Sequence, residues 1–263
     1  MKDYLIDTHS HIDMIIGKHE DNTETTLCDV ISDMNAFGVK KAIIPSVEIA
    51  TQDKVVELAN SDENLFGMVG LFPSEAKTYT EEFEKKMEDI ARNNKKIVAV
   101  GEVGLDYYWD KSFVDIQKEV FIKQIKMAQR LDLPLVVHDR EAHKDCFDIL
   151  TQENKSSKVL FHCFSGSVEF MKECVKKDWY VALGGVVTFK NAIKMKDVAR
   201  EVPLDRLVLE TDSPYLTPVP YRGKPNSPAF VKYVAEEIAK IRNIEFSELI
   251  DVTTQNAERF FEI

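Results

Sequence analysis

At 263 residues, 44% of them apolar and 30% charged, the chain has the composition of an ordinary folded protein and the length for one full core. A net charge of −11 excludes a broad basic surface for long duplex nucleic acid, so that only local basic groups or bound cations are left to hold phosphates. The longest weakly polar run, Trp179 to Phe189, falls short of the roughly 18–20 residues of a membrane span, and Met1-Lys2-Asp3-Tyr4 lacks a basic-then-apolar signal pattern. Cys28, Cys146, Cys163 and Cys174 include no close pair and no C-x-x-C, so neither a structural zinc site nor a disulfide framework is indicated. The expectation is reduced thiols in a cytoplasmic protein without a membrane segment.

Short apolar runs recur along the chain at Tyr4–Thr8, Ala42–Ser46, Phe66–Leu71, Ile97–Gly101, Leu133–Val137, Val159–Phe161, Tyr180–Leu183 and Arg206–Leu209. Helical periodicity separates them. The clearest case is Ser112–Leu131, apolar at 113, 116, 120, 121, 125, 128 and 131, with Ser112 as its expected N-cap. Another is Ser227–Arg242, with Pro228 at the first helical position and an apolar stripe of Phe230, Val231, Val234, Ile238 and Ile241. Phe246–Ile263 reads as a closing helical segment that packs Leu249, Ile250, Phe260 and Phe261. Eight strands alternating with helices call for parallel pairing, because parallel neighbours need crossovers. The fold class expected is α/β, a (β/α)8 TIM barrel of metallo-dependent hydrolase type, as one domain over 1–263. An open doubly wound sheet is the runner-up, but no glycine-rich phosphate loop follows the first strand.

The first run leads into His9-Ser10-His11. On an extended backbone, i and i+2 share a face roughly 6–7 Å apart, close enough to serve one ion, and imidazole is the commonest metal ligand. Alone, the pair could be polar residues at a strand end. The other apolar runs end in Glu102, His138, His162 and Asp212. In a barrel all six would meet at the C-terminal mouth of the strands. Four imidazoles and two carboxylates exceed the needs of one tetrahedral ion and suit two. Glu102 could bridge them. Such a site generates a metal-bound hydroxide that attacks an ester centre, with Asp212 as ligand, proton acceptor or both. Glu210 shares the face of Asp212 and reads either as an outer-shell residue orienting a ligand or as half of a barrel-interior ion pair.

Beyond spacing, whole segments carry a family pattern. Asp7-Thr8-His9-Ser10-His11-Ile12-Asp13, Gly101-Glu102-Val103-Gly104-Leu105-Asp106-Tyr107, His138-Asp139-Arg140-Glu141-Ala142-His143, His162-Cys163-Phe164-Ser165-Gly166 and Glu210-Thr211-Asp212-Ser213-Pro214-Tyr215-Leu216 resemble the signature segments of the TatD family of metal-dependent deoxyribonucleases. Arg222-Gly223-Lys224-Pro225-Asn226-Ser227-Pro228 and the ending Thr253 to Phe261 are similar to that family's later loop and C-terminus. The resemblance implies an amidohydrolase-related barrel and a divalent-metal site at His9, His11, Glu102, His138, His162 and Asp212. It also implies exonucleolytic removal of nucleotides from DNA ends, by resemblance from the 3′ end. Asp139 stands where the family more often has a small or uncharged residue, and the proline at 225 is a second departure, in the later loop.

On the substrate side, Arg140 offers a guanidinium fork suited to phosphate, or a partner for Asp139 or Glu141. Arg222 and Asn226 fall in the loop after strand eight, where barrels often hold phosphates. Tyr107, Tyr108, Trp109 and Phe164 could stack on a splayed base or pack the rim. His143 is a candidate substrate contact, and His19 reads as a plain loop residue. The expectation is a hydrolase using two divalent ions (Mg, Mn or Zn) on single-stranded or frayed DNA ends, with a monomer the default state. The alternatives are an amide or ester hydrolase acting on a small molecule or charged tRNA, and a non-catalytic metal-binding scaffold.

Overall fold

A computed structural model of the chain describes residues 2–18 and 23–263; His19 lies outside the described residues. Eight parallel strands form one sheet in sequential order: β1 (Leu5–Asp7), β2 (Val39–Ile44), β3 (Leu65–Val69), β4 (Ile97–Asp106), β5 (Leu135–Arg140), β6 (Val159–Phe161), β7 (Tyr180–Leu183) and β8 (Leu207–Leu209). The sheet curls back on itself. Thr8 N donates to Leu209 O at 3.1 Å, Asp212 N to His9 O at 2.9 Å and His11 N to Ser213 O at 2.8 Å, so the residues just beyond β8 and β1 close the barrel. The fold class is the (β/α)8 barrel expected from the alternating pattern.

Helices α1 (Leu27–Ala36), α2 (Gln52–Ser61), α3 (Glu81–Asn93), α4 (Val114–Leu131), α5 (His143–Glu153), α6 (Val168–Val175), α7 (Ile193–Glu201) and α8 (Val231–Arg242) follow the eight strands in turn, and α9 (Phe246–Phe261) ends the chain. A one-turn helix, Ile12–Ile15, and a small hairpin precede α1. α4 starts two residues later than its expected cap. The Ser112 N–H donates to the Asp110 carboxylate at 2.8 Å, a turn of Asx type that keeps Ser112 out of the capping position. Ser227 does cap, its Oγ accepting from Ala229 N at 3.3 Å, but Pro228–Phe230 first forms a 3-10 turn before α8 begins. No helix among the described residues is long and apolar enough to cross a membrane, and none of the four cysteines is paired.

Most strand residues are buried on both faces, as parallel sheets require, with Lys40 of β2 and Arg140 of β5 exposed. Ile6, Ile43, Met68, Val136, Leu160, Ala182 and Val208 fill the barrel interior, and Phe260 and Phe261 of α9 join that cluster. Their neighbours on the opposite face, among them Leu5, Ile44, Val137, Phe161 and Leu209, pack against the helices. A period of two then carries the inward direction onward: from Val136 to His138, from Leu160 to His162, and from Val208 through Glu210 to Asp212.

β4 departs from this rule and runs well past the expected end at Gly101. Val100, Val103 and Leu105 all pack in the outer layer, and a three-residue step between the first two is possible only with one extra residue. The pairing with β5 jumps accordingly, from Val100–Leu135 to Val103–Val137. The irregularity reverses the parity, so Glu102 and Asp106 both turn toward the mouth. The Glu102 backbone N–H leaves the ladder for Ser46 O, at 3.1 Å.

Candidate metal centre

The structure brings His9, His11, Glu102, His138, His162 and Asp212 together at the C-terminal end of the barrel; all but the fully buried His9 line a cavity of about 650 Å³ whose wall includes Arg140 and Trp109. Glu102 stands between two groups. Its Oε2 lies 3.2 Å from His9 Nε2 and 3.9 Å from His11 Nε2. Its Oε1 lies 2.7 Å from His138 Nδ1 and 2.8 Å from His162 Nε2. Asp212 Oδ1 is 3.4 Å from His11 Nε2 and 3.9 Å from His9 Nε2. Donor atoms converge in three groups among the described residues: the triads His9–His11–Asp212 and Glu102–His138–His162, and a fully buried group, His9–His162–Glu210.

These residues suit cations. Both ring nitrogens of His9 and the Nδ1 atoms of His11 and His162 are buried with no hydrogen-bond partner among the described residues, an arrangement costly for polar atoms unless something else satisfies them. Burial and the neighbouring His162 lower His9 to about 4, so its ring is neutral and its lone pair free near neutral pH. Burial works against ionisation of Glu102, yet the charge of His162, hydrogen bonds from His138 and His162, and the His9 ring 3.2 Å away hold it well below the usual carboxylate range. Asp212 is likewise lowered against the effect of its own burial, chiefly by His11. Glu210 goes the other way: burial, reinforced by the charge of Asp212, raises it well above the ordinary value. Its Oε1 accepts from Cys163 N and lies 3.8 Å from His162 Nδ1, behind the ring.

Two supporting carboxylates were not singled out as site residues by the sequence reading. Asp106 Oδ2 lies 3.0 Å from His138 Nε2, which leaves Nδ1 of that ring as the atom facing Glu102. Burial opposes charge on His138, but Asp106 and Glu102 outweigh it and push the ring up to about 9. Asp7 accepts from His9 N at 3.2 Å and from Thr211 N at 2.9 Å, and its other oxygen takes the Thr211 hydroxyl at 2.5 Å, pinning β1 to the segment that carries Asp212. Both sit inside motifs that the sequence displays; what hid them was the long-range pairing. Gly104 is required where it stands: φ is +143° and a Cβ there would lie 2.0 Å from His138 O.

Of the substrate-side candidates, Arg140 faces the cavity with its guanidinium 3.9 Å from the Tyr108 ring centre and 5.4 Å from that of Trp109. It pairs with neither neighbour: Asp139 is bonded to His143 at 2.7 Å and Glu141 lies near Lys111. Trp109 is 70% exposed and Tyr215 53% exposed, both on the cavity wall. Tyr107 instead donates its hydroxyl to Asp145, and Phe164 is buried against Phe170. His143 stacks on Phe170 and lies outside the lining of this cavity. Arg222 lies 4.0 Å over Phe189 and donates to Thr217 O, also outside that lining. Asn226 is buried, with its amide donating to Thr211 O and Tyr215 O and its oxygen accepting from Ser227 N. Every polar atom of that side chain is used to brace the loop after β8, which leaves none for a ligand.

A family model described as TatD related DNase matches residues 6–262. The chain belongs to the TatD family. YabD of Bacillus subtilis, named as an uncharacterized metal-dependent hydrolase, is 41% identical over 260 residues, 98% of this chain and 99% of that one. YcfH of Escherichia coli K12, similarly named, is 35% identical over 263 residues, 99% of this chain and 96% of its own. Among solved structures, the TatD homologue YJJV of Escherichia coli K12 superposes with a TM-score of 0.88 at 27% identity, over 98% of each chain. The TatD-family barrel described above thus carries the equipment of a metal-dependent hydrolase.

Proposed function

We propose that this TatD-family protein is a metal-dependent hydrolase whose whole chain forms one catalytic domain, and that it cleaves phosphodiester bonds of DNA. The reading is a 3′–5′ exonuclease acting on single-stranded ends. What carries it is the pairing of a cation-type floor with an aromatic rim: Tyr108 and Trp109 stand exposed beside the Arg140 guanidinium, and the exposed Tyr215 lies against His11. Divalent ions in such triads, when bound, lower the pKa of a coordinated water and draw charge from a phosphoryl oxygen. Glu102 would hold both ions through its two oxygens, with His9, His11 and Asp212 on one side and His138 and His162 on the other. Asp212, kept ionised, accepts the proton of the attacking water. Arg140 orients the phosphate through its fork while its planar face rests on Tyr108. Trp109 and Tyr215 stack on bases without reading sequence.

With a net charge of −11, long-range attraction to duplex DNA is weak, so affinity rests on a few local phosphate contacts. A mouth ringed by loops admits a strand end more readily than a duplex interior. The test is incubation of the purified protein with end-labelled linear and circular single-stranded DNA, RNA and an ester panel, each with Mg²⁺, Mn²⁺ or Zn²⁺. Stepwise shortening of linear DNA from its 3′ end, with circular DNA spared, is expected. Equal cutting of circles removes the end-directed reading, and turnover of the ester panel alone favours a small-molecule hydrolase.

A further inference from the structure

A second cavity, of about 300 Å³, opens beside the first and shares Cys163 and Ser165 with it as common wall. Phe164, Val186, Val187 and Met195 make it largely apolar, while Asn191 and Lys194 supply polar groups. The motif His162-Cys163-Phe164-Ser165-Gly166 builds its wall. Phe164 N is tied to Ala182 O at 3.1 Å, and the Phe164 ring stacks on Phe170 with centres 5.8 Å apart. Gly166 makes that stack possible, since a Cβ there would lie 2.5 Å from Phe170 and 2.7 Å from Phe164. Only His162 of this motif enters the metal centre; Phe164 and Gly166 shape the neighbouring space.

We infer that the second cavity is a nucleobase subsite, taking the base of the nucleotide next to the scissile phosphate, with Lys194 receiving the following backbone phosphate; this rests on the nuclease reading above. Three observations choose that occupant. Its volume stands at the lower end of the roughly 300–1,000 Å³ of small-molecule sites, and an apolar slot with one amide fits a flat heterocycle bearing edge donors and acceptors. It adjoins the cavity of the centre that would hold the phosphate, across Cys163 and Ser165, so a single strand could reach both. Lys194 is exposed and, among the described residues, makes no ion pair, which leaves its ammonium free for a phosphate. Lys190 nearby is equally exposed, giving this acidic protein a local cationic ledge.

The probe is thymidine 5′-monophosphate, titrated into chelator-treated protein and followed by two-dimensional NMR, alongside hydrolysis of oligo(dT) and of bis(p-nitrophenyl) phosphate with Mn²⁺. Ala192→Trp fills the cavity from the half-buried start of α7; Lys194→Glu alters only an exposed side chain. Nucleotide affinity is expected to fall tenfold or more in Ala192→Trp and severalfold in Lys194→Glu. The oligo(dT) to bis(p-nitrophenyl) phosphate ratio of kcat/KM should fall by a similar factor in each. Equal nucleotide binding by wild type and both variants, or no binding by wild type, overturns the subsite. Failure of wild type to cut oligo(dT) while nucleotide binding responds to both substitutions overturns the nuclease reading and leaves the base-binding cavity standing.

Discussion

Replacing Asp106 by asparagine should flatten the pH dependence of metal uptake. In the metal-free protein His138 is raised to about 9, with Asp106 behind Nε2 and Glu102 against Nδ1. A cation taking Nδ1 must displace that proton. At pH 7 the penalty is about 2 pH units, about 3 kcal/mol, and wild-type affinity should rise about tenfold per unit until about pH 9. Asparagine keeps an acceptor for the Tyr108 and Trp109 N–H groups that Asp106 Oδ1 now holds. It can also turn its NH2 toward Nε2, which favours the ring tautomer with hydrogen on Nδ1, the wrong atom. Loss of a carboxylate behind a ligating imidazole costs about 10–100-fold in metal affinity. Near pH 7 that loss and the relieved proton penalty oppose each other; near pH 9.5 only the loss remains. Calorimetric titration of chelator-stripped protein with Zn²⁺ or Mn²⁺ across this range, in paired buffers that count released protons, reads both terms. Parallel slopes and equal affinities at high pH would refute the reasoning. The same ring also acts on folding: its raised pKa stabilises the metal-free protein fully below about pH 6.5. That contribution disappears as pH climbs through about 9, so the stripped wild type should lose Tm over this window and Asp106→Asn less.

Glu102→Ala should leave circular dichroism unchanged while metal affinity drops by more than the roughly 100-fold limit of an outer-shell loss and hydrolysis disappears; unaltered occupancy would remove its bridging role. His162→Ala, which deletes a nitrogen 2.8 Å from Glu102, should cost far more metal than His143→Ala, whose ring contacts Asp139 and Phe170, and metal analysis of the two variants separates them. Gly104→Ala must place its Cβ 2.0 Å from a backbone oxygen at a φ of +143°, so urea unfolding should show a loss of about 3 kcal/mol or more. Stripping the metal should raise hydrogen exchange at Thr8 and Asp212, whose amides close the barrel, more than at β4–β5 amides such as Gly104; uniform change across both would contradict a metal-braced seam.

Much of this architecture was legible because the strands are buried on both faces and read as apolar runs punctuated by helices. The ligand-type residues were legible because each stands where such a run ends. Glu102 was placed at the mouth for a partly mistaken reason: β4 continues to Asp106, and a bulge, not a strand end, turns the carboxylate inward. Nothing in Ile97–Gly101 announces that bulge; it arises from pairing with β5. Asp106 and Asp7 escaped notice for a related cause, since their partners, His138 and Thr211, are remote in the chain. Asn226 was a substrate-side candidate because of its place in the loop after strand eight, where barrels often hold phosphates; three loop contacts occupy its amide.

The two triads occupy mechanically different parts of the barrel. Glu102 and His138 lie on β4 and β5 and His162 directly follows β6, three consecutive strands joined by their ladders. His9, His11 and Asp212 straddle the β8–β1 closure, where each strand has only three residues. Asp7 supplies that seam with buried bonds to Thr211, but these fix the backbone and leave both nitrogens of His9 and Nδ1 of His11 without hydrogen-bond partners among the described residues. Glu102 reaches both sides, one oxygen toward each triad. A cation held on the seam side therefore joins the two ends of the sheet, whereas one held on the other side binds elements already laced together. Occupation of the first should stabilise the fold more strongly than occupation of the second, because a ligand adds stability only in proportion to its preference for the closed state.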